Sequence, residues 1–348
     1  MIDAMIKELS LSETFENKIE TIYLGGGTPS LLNAEELKKL LFAVYKKYNV
    51  SPDAEITLEA NPDDINKKKL TEWKSAGVNR LSIGIQSFKE EDLLWMNRAH
   101  NAVQALLCIK QVKDAGFQNF SVDLIYGIPT LSDDDWEKNV QTVIDLNVPH
   151  LSCYALTVEP KTALQKMIAL KKKQEVDPGK QASQFLLLMD WMKDAGYGHY
   201  EISNFAKPGF RSKHNSSYWQ GKSYLGIGPS AHSFNGDFRR WNVSNNALYI
   251  QSLKKNIIPY EEEKLSDVQK LNEYIMTSLR TIEGIDLDLI KNKLGEDVKN
   301  KIQKQSIKFE KSGKLKFIGN KILLTTEGKL FADGIAADLF FEEQISVL

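Results

Sequence analysis

Six short β-rich runs alternate with helical patterns through the first two-thirds of this chain: ETIYLG (20–25), EITLEA (55–60), RLSIGIQSF (80–88), FSVDLIYG (120–127), HLSCYAL (150–156) and HYEIS (199–203). Between them lie amphipathic stretches such as AEELKKLLFAVYKKY and AVQALLCIKQVKDAG, most of which end near a Gly or Asn. A strand–helix–strand rhythm requires parallel strands with helices packed outside them. Right-handed crossovers in sequential order curl such a sheet into a full or partial (β/α) barrel. A doubly wound sheet is the alternative, and both architectures place ligands at the strand C-terminal ends. Gly25 to Thr28, Glu59, Gln86, Asp123 and Tyr126 fall at those ends.

From about Ser266 the character changes. Helical patterns lead into KLKFIGNKILLTTEG, where a Gly-Asn pair between alternating apolar residues predicts a hairpin. Three helices plus a hairpin suggest a small winged-helix-like unit, so we expect a barrel over residues 1–235 and a C-terminal helical domain over 236–348. Lys is mixed there with Glu and Asp and forms no one-sided basic face, which argues against nucleic acid. The formal net charge of −1 gives no general pull toward nucleic acid or an anionic membrane. No apolar run approaches the ~20 residues that span a bilayer. The amphipathic, charged start MIDAMIKELSLSETFENK does not read as a signal peptide, so the cytoplasm is the expected location. The two cysteines, Cys108 on a helical face and Cys153 in a strand, read as core residues. KKKQ (171–174) reads as a solvated face.

Several stretches carry chemistry. In YLGGGTPS (23–30), glycines after a strand let backbone N–H groups approach a carboxylate or phosphate, and Thr28 adds a hydroxyl. The pattern is neither a P-loop nor the spaced glycines of a dinucleotide site. Glu59 in LEANPDD suits hydroxyls or an ammonium, or else caps the next helix. Gln86 ends the third run, and Arg98 in MNRAH offers a bidentate clamp for a carboxylate. Asp123 sits inside an apolar run and must pair or bind something; Arg98 is one candidate partner. SKHNSSYWQGKSYLGIGPSAHSF (212–234) holds His214, Asn215 and Tyr218 in what reads as a polar loop, with His232 expected to be buried and hydrogen-bonded. A ring nitrogen beside aromatics is also what heme iron requires.

Together YLGGGTPS, TLEANP, GVNRLSIGIQSF with its downstream NRAH, VDLIYGIP, HLSCYAL, YEISNFAKPG and the HN-x-x-Y of His214 to Tyr218 resemble radical SAM proteins related to oxygen-independent coproporphyrinogen III oxidase, and its heme-chaperone branch above all. The resemblance covers nearly the whole chain. It implies a partial (β/α)6, TIM-like barrel with a C-terminal helical domain. It implies S-adenosylmethionine at the barrel top, with Gly26, Gly27 and Thr28 at the methionine end and Glu59, Gln86, Arg98 and Asp123 around the rest. It also implies a heme ligand at His214, supported by Asn215 and Tyr218, with His232 and His199 as alternatives. The implied role is heme delivery to membrane-bound respiratory enzymes, with membrane contact only through those partners. Oxidative decarboxylation of coproporphyrinogen is the alternative, and a phosphate-binding lyase or isomerase built on the GGGTP loop is a third.

The sequence departs from that family at one point. Members carry a C-x-x-x-C-x-x-C loop after a first strand, and its thiolates hold a [4Fe–4S] cluster. No such motif occurs here. We expect that first strand and loop, about 30–45 residues by the length of a β-loop-α unit, to be missing through a truncated or misassigned start, or else absent from a natural cluster-free paralogue. The expectation is a chain that performs no radical chemistry as given, or at the extreme an inactive cluster-less remnant.

Overall fold

The computed structural model describes residues 1–13 and 18–342. In chain order it contains α1 (Ile2–Leu11), β1 (Ile19–Leu24), α2 (Ala34–Lys47), β2 (Val50–Ala60), α3 (Lys67–Ala76), β3 (Arg80–Gln86), α4 (Glu90–Trp95), α5 (Ala102–Asp114), β4 (Asn119–Tyr126), α6 (Asp133–Asp145), β5 (His150–Ala155), α7 (Ala163–Ala169), α8 (Pro178–Asp194), β6 (Gly198–Glu201) and β7 (Asn204–Ala206). Then follow α9 (Lys213–Trp219), β8 (His232–Phe234), β9 (Phe238–Asn242), α10 (Asn246–Lys254), β10 (Tyr260–Lys264), α11 (Asp267–Leu279), β11 (Ile285–Asp286), α12 (Leu287–Leu294), α13 (Glu296–Lys311), β12 (Leu315–Ile318), β13 (Lys321–Leu324) and α14 (Ala332–Asp338). Two units emerge. One comprises Thr21–Ala34 and Glu55–Arg211; the other comprises Met1–Glu20, Glu35–Ala54 and Ser212–Leu348.

The first unit is built on a curled half-barrel sheet in the order β1-β2-β3-β4-β5-β7-β6. Strands β2 to β5 are parallel. One strand face is apolar: Leu81, Ile83 and Ile85 of β3 and Val122 and Leu124 of β4 are fully buried against the helical layer. The opposite face is polar. In register across three strands lie Thr57, Arg80 and Asn119; the next layer holds Glu59, Ser82, Ser121 and His150; Asp123 then stands beside Ser152. Strands covered on both faces usually read as continuous apolar runs. The period-two polar residues therefore mark an inner face reserved for something other than a hydrocarbon core.

The sixth run does not join as a parallel strand. β7 inserts between β5 and β6 and is antiparallel to both. Only Ile202 and Ser203 separate β6 from β7, whereas a parallel return needs a crossover of a dozen residues or more. Lys173, read as part of a solvated face, instead lies 4.5 Å over the Trp95 ring and donates to the Trp95 carbonyl.

In the second unit β8, β9 and β10 form an antiparallel sheet, and β11, β13 and β12 form another. The Gly-Asn hairpin is present: Leu315 pairs with Leu324 and Ile318 with Lys321. A buried carboxylate holds α1. Glu8 is 2% exposed and accepts hydrogen bonds from Gly228 N (2.8 Å), Asn242 Nδ2 (2.6 Å) and the Tyr249 hydroxyl. Burial raises its pKa, while those three donors oppose the rise. Among the described residues no helix is long and apolar enough to cross a membrane.

Candidate functional site

The C-terminal ends of β1 to β4 carry the first group of residues. Leu24 ends β1, and Gly25, Gly26 and Gly27 follow it, exposed. Gly26 and Gly27 have φ of +71° and +62°, a left-handed backbone that side chains with a Cβ resist. A Cβ on either would meet nothing within 4 Å, so the space above this loop is open. At Gly25 a Cβ would fall 2.6 Å from the Tyr23 ring and 3.0 Å from Glu59 Oε1. Gly25 is thus what lets the Tyr23 hydroxyl reach Glu59 Oε1, at 2.7 Å. Glu59 is therefore engaged within the inner face and does not cap the following helix.

Gln86 and Arg98 converge with Asn61 over Gly84. A Cβ there would lie 2.9 Å from Gln86 Nε2, 3.4 Å from Arg98 Nη2 and 3.8 Å from Asn61 Oδ1. Gln86 adopts φ of +67°, a strained conformation for a residue with a Cβ. Arg98 Nη2 donates to Asn61 Oδ1 at 2.9 Å and to the Gly84 carbonyl at 3.3 Å. Its Nε is buried with no hydrogen-bond partner among the described residues. Burial lowers the Arg98 pKa, against the opposing pull of Asp63 and Asp123.

Asp123 does not hydrogen-bond to Arg98, the partner considered from sequence. Ser82 Oγ donates to its Oδ2 at 3.4 Å, and Ser152 bonds it as well. Desolvation lifts its pKa to about 6; Ser152 and Arg80 work against this and Glu59 adds to it. Arg80 faces Glu55 at 3.8 Å, with the two side chains 1% and 4% exposed. Register explains the exchange of partners. Ser82 and Arg80 point to the same sheet face as Asp123, while Arg98 belongs to the loop after α4. Asp123 Oδ1 is buried and unpartnered among the described residues.

Sequence reading missed Asn61, Arg80, Ser82 and Ser152. The signal that could have found Arg80, Ser82 and Ser152 is the alternation R-L-S-I-G, N-F-S-V-D and H-L-S-C-Y, in which polar residues recur at every second position of a parallel strand; Asn61, in the loop after β2, carries no such signal.

The second group lies in the other unit. His214, Asn215 and Tyr218 are on α9, a helix where a polar loop was expected. Ser212 caps it, its Oγ accepting from Asn215 N at 3.2 Å. The His214 and Tyr218 rings, one turn apart, meet edge to face at 4.9 Å, and Tyr218 meets Tyr224 in the same way at 4.7 Å. His214 is half-buried and Tyr218 exposed. His232, expected to be buried, is exposed on β8 with its ring 6.4 Å from Trp241. His199 stacks on Phe205 at 4.1 Å in the first unit, and its Nε2 contacts the Ile202 carbonyl at 3.0 Å.

The radical SAM superfamily profile matches residues 3–143, and the HemN C-terminal domain profile matches 265–331. Heme chaperone HemW of Bacillus subtilis is 32% identical over 339 residues, covering 96% of this chain and 89% of that protein. The chain belongs to the HemW family of radical SAM proteins. HemW of Lactococcus lactis is 34% identical over 84% of this chain and 77% of its own. HemW of Escherichia coli is 39% identical over 62% and 56%. Among solved structures, coproporphyrinogen III oxidase (HemN) of Escherichia coli superposes with a TM-score of 0.83 at 22% identity, over 97% of this chain and 82% of that one. That likeness establishes the fold.

Membership in a radical SAM family implies S-adenosylmethionine and a [4Fe–4S] cluster. The residues at the strand ends fit the first. The open Gly26–Gly27 loop, the Arg98 Nε and the Asp123 Oδ1, the last two unpartnered among the described residues, supply donors and acceptors for it. The cysteines do not fit the second. Cys108 and Cys153 are both buried. Burial pushes the Cys108 thiol up to about 12 and the Cys153 thiol well above its ordinary value. A cysteine ligates metal as the thiolate, and among the described residues no cluster of three metal-ligating side chains occurs.

Proposed function

We propose that this chain is a heme-binding chaperone that takes up heme through His214 and hands it to heme-accepting respiratory enzymes. Asn215 and Tyr218 support the ligand. The observation that carries the reading is the pairing of His214 and Tyr218 on one face of α9, their rings 4.9 Å apart, in a chain whose relatives named heme chaperone HemW match along most of its length. A half-buried imidazole held edge-on by a tyrosine can present a ring nitrogen to iron while the aromatic rings beside it face the porphyrin. The protein acts in the cytoplasm and meets membranes through its recipients. In this reading the strand-end site belongs to the first unit and the His214 site to the second.

The strand-end site holds S-adenosylmethionine. The backbone of Gly26 and Gly27 and the Thr28 hydroxyl receive the methionine end. Arg98, steadied by Asn61, takes a carboxylate through its free Nε edge. Glu59, Gln86 and Asp123 accept from or donate to the remaining polar groups. Bound S-adenosylmethionine supplies radical chemistry only where a reduced cluster feeds it electrons, and the two buried cysteines are no ligand set for one.

The test is a heme titration followed by absorbance, on the parent chain and on His214→Ala. A Soret band that grows with the parent and collapses in the variant is expected. Equal bands in both would move the ligand to another residue, and no band with the parent would remove the heme reading.

A further inference from the structure

Arg280 caps the C-terminal end of α11, far in sequence from α9, yet its guanidinium lies 5.3 Å over the ring of Trp219, the last residue of α9. Its Nη1 donates to Asp333 Oδ1 at 2.6 Å. Its Nε is buried and has no hydrogen-bond partner among the described residues. Asp333 itself is 81% exposed, and an ion pair with so exposed a partner has little net worth. The guanidinium thus sits beside the helix of His214, stacked on a half-buried indole, with its Nε unused among the described residues and its carboxylate partner Asp333 exposed to solvent. Its planar fork matches a carboxylate bidentately.

We propose that Arg280 receives a propionate carboxylate of the tetrapyrrole whose iron is held at His214. The proposal rests on the heme reading above and deepens it. Trp219 follows His214 by five positions on α9, a rise of ~7.5 Å along the helix axis, comparable with the span from the centre of a tetrapyrrole to its acid side chains. The Trp219 ring, turned ~140° about α9 from His214, is an apolar surface at the end of that helix, and Arg280 closes it with a positive charge. Asp333 then acts as an internal competitor that holds the guanidinium until the ligand's carboxylate displaces it.

The experiment compares heme with heme dimethyl ester, which keeps iron and ring and loses both charges. Absorbance titrations are run on the full chain as parent, Arg280→Gln, Arg280→Lys, Asp333→Ala and His214→Ala. A charge-assisted hydrogen bond corresponds to roughly tenfold or more in affinity, so the parent should favour heme over the diester by about that factor. Arg280→Gln should bind the two alike, with its Soret position and its diester affinity unchanged. That diester affinity also shows the variant is folded. Arg280→Lys should keep part of the preference, and Asp333→Ala should increase it. An Arg280→Gln protein that retains the parent's full preference overturns the proposal and leaves the heme site standing. A parent that binds neither ligand, or a His214→Ala protein that binds both as the parent does, removes the heme reading at His214 instead.

Discussion

Replacing Gly84 by Ala separates the strand-end site from the stability of the barrel. Gly84 lies within β3, and its φ is not in the left-handed range, so its backbone suits an L-residue. In a strand interior Gly to Ala gains ~0.5–1 kcal/mol from reduced unfolded-chain freedom. The new methyl meets only side-chain ends: Gln86 Nε2 at 2.9 Å, Arg98 Nη2 at 3.4 Å and Asn61 Oδ1 at 3.8 Å. These can swing aside, so unfolding free energy should change by no more than about 1 kcal/mol. Displacing the Gln86 amide, the one group the methyl crowds below van der Waals contact, is another matter. A hydrogen bond to a charged group is worth ~1.5–3 kcal/mol, which corresponds to at least tenfold in the affinity for S-adenosylmethionine. Equilibrium dialysis with labelled S-adenosylmethionine reads the binding, and urea unfolding reads the stability. A Gly84→Ala chain that binds as tightly as the parent, or one that loses several kcal/mol of stability, would refute the reasoning. Gly226 provides the contrast. A Cβ there would lie 2.1 Å from the His232 backbone oxygen, so Gly226→Ala should unfold at distinctly lower urea without any selective effect on that site.

Glu8→Ala leaves the Gly228, Asn242 and Tyr249 donors without an acceptor and should cost ~2–4 kcal/mol in urea unfolding. Because burial raises the folded-state pKa of Glu8, the folded chain holds this proton more tightly than the unfolded one. Parent stability attributable to Glu8 should therefore rise as pH falls from neutral toward the ordinary Glu range, a slope that Glu8→Gln removes; an identical slope in both proteins would refute it. Asp123, lifted to about 6, should weaken S-adenosylmethionine binding as pH drops through 6, and Asp123→Asn should flatten that dependence.

The architecture was legible because side-chain period reports it directly: apolar residues every second position at Leu81, Ile83 and Ile85, and every third or fourth in α2 at Leu37, Leu40 and Leu41. Site positions at strand ends follow from the same rhythm. Pairings do not, since they depend on register. Asp123 lies one layer above Ser82 on the inner face, so its hydrogen-bond partners are Ser82 and Ser152, while Arg98 reaches it only through charge. The β6–β7 turn escaped notice because HYEISNFA has one continuous strand-like composition, and only its two-residue link, too short for a crossover, decides the direction.

The helix that carries His214 shows the limit most clearly. KHNSSYW is poor in helix formers, and its Asn and Ser residues favour caps and turns when judged alone. Seven residues are also too few for a helix to persist without tertiary support. What supports it is remote in sequence: Ser212 supplies the cap, Tyr224 packs on Tyr218, and Arg280 covers Trp219. The helix of His214 and Arg280 are therefore joined through the Trp219 ring. A substitution that removes the guanidinium removes its stack on Trp219 along with the charge, and this is why a lysine at 280 and the diester ligand are both needed to tell the two effects apart. If the stack mattered only for holding α9, Arg280→Gln would weaken heme and its diester equally; if the charge reads the ligand, only the free acid should suffer.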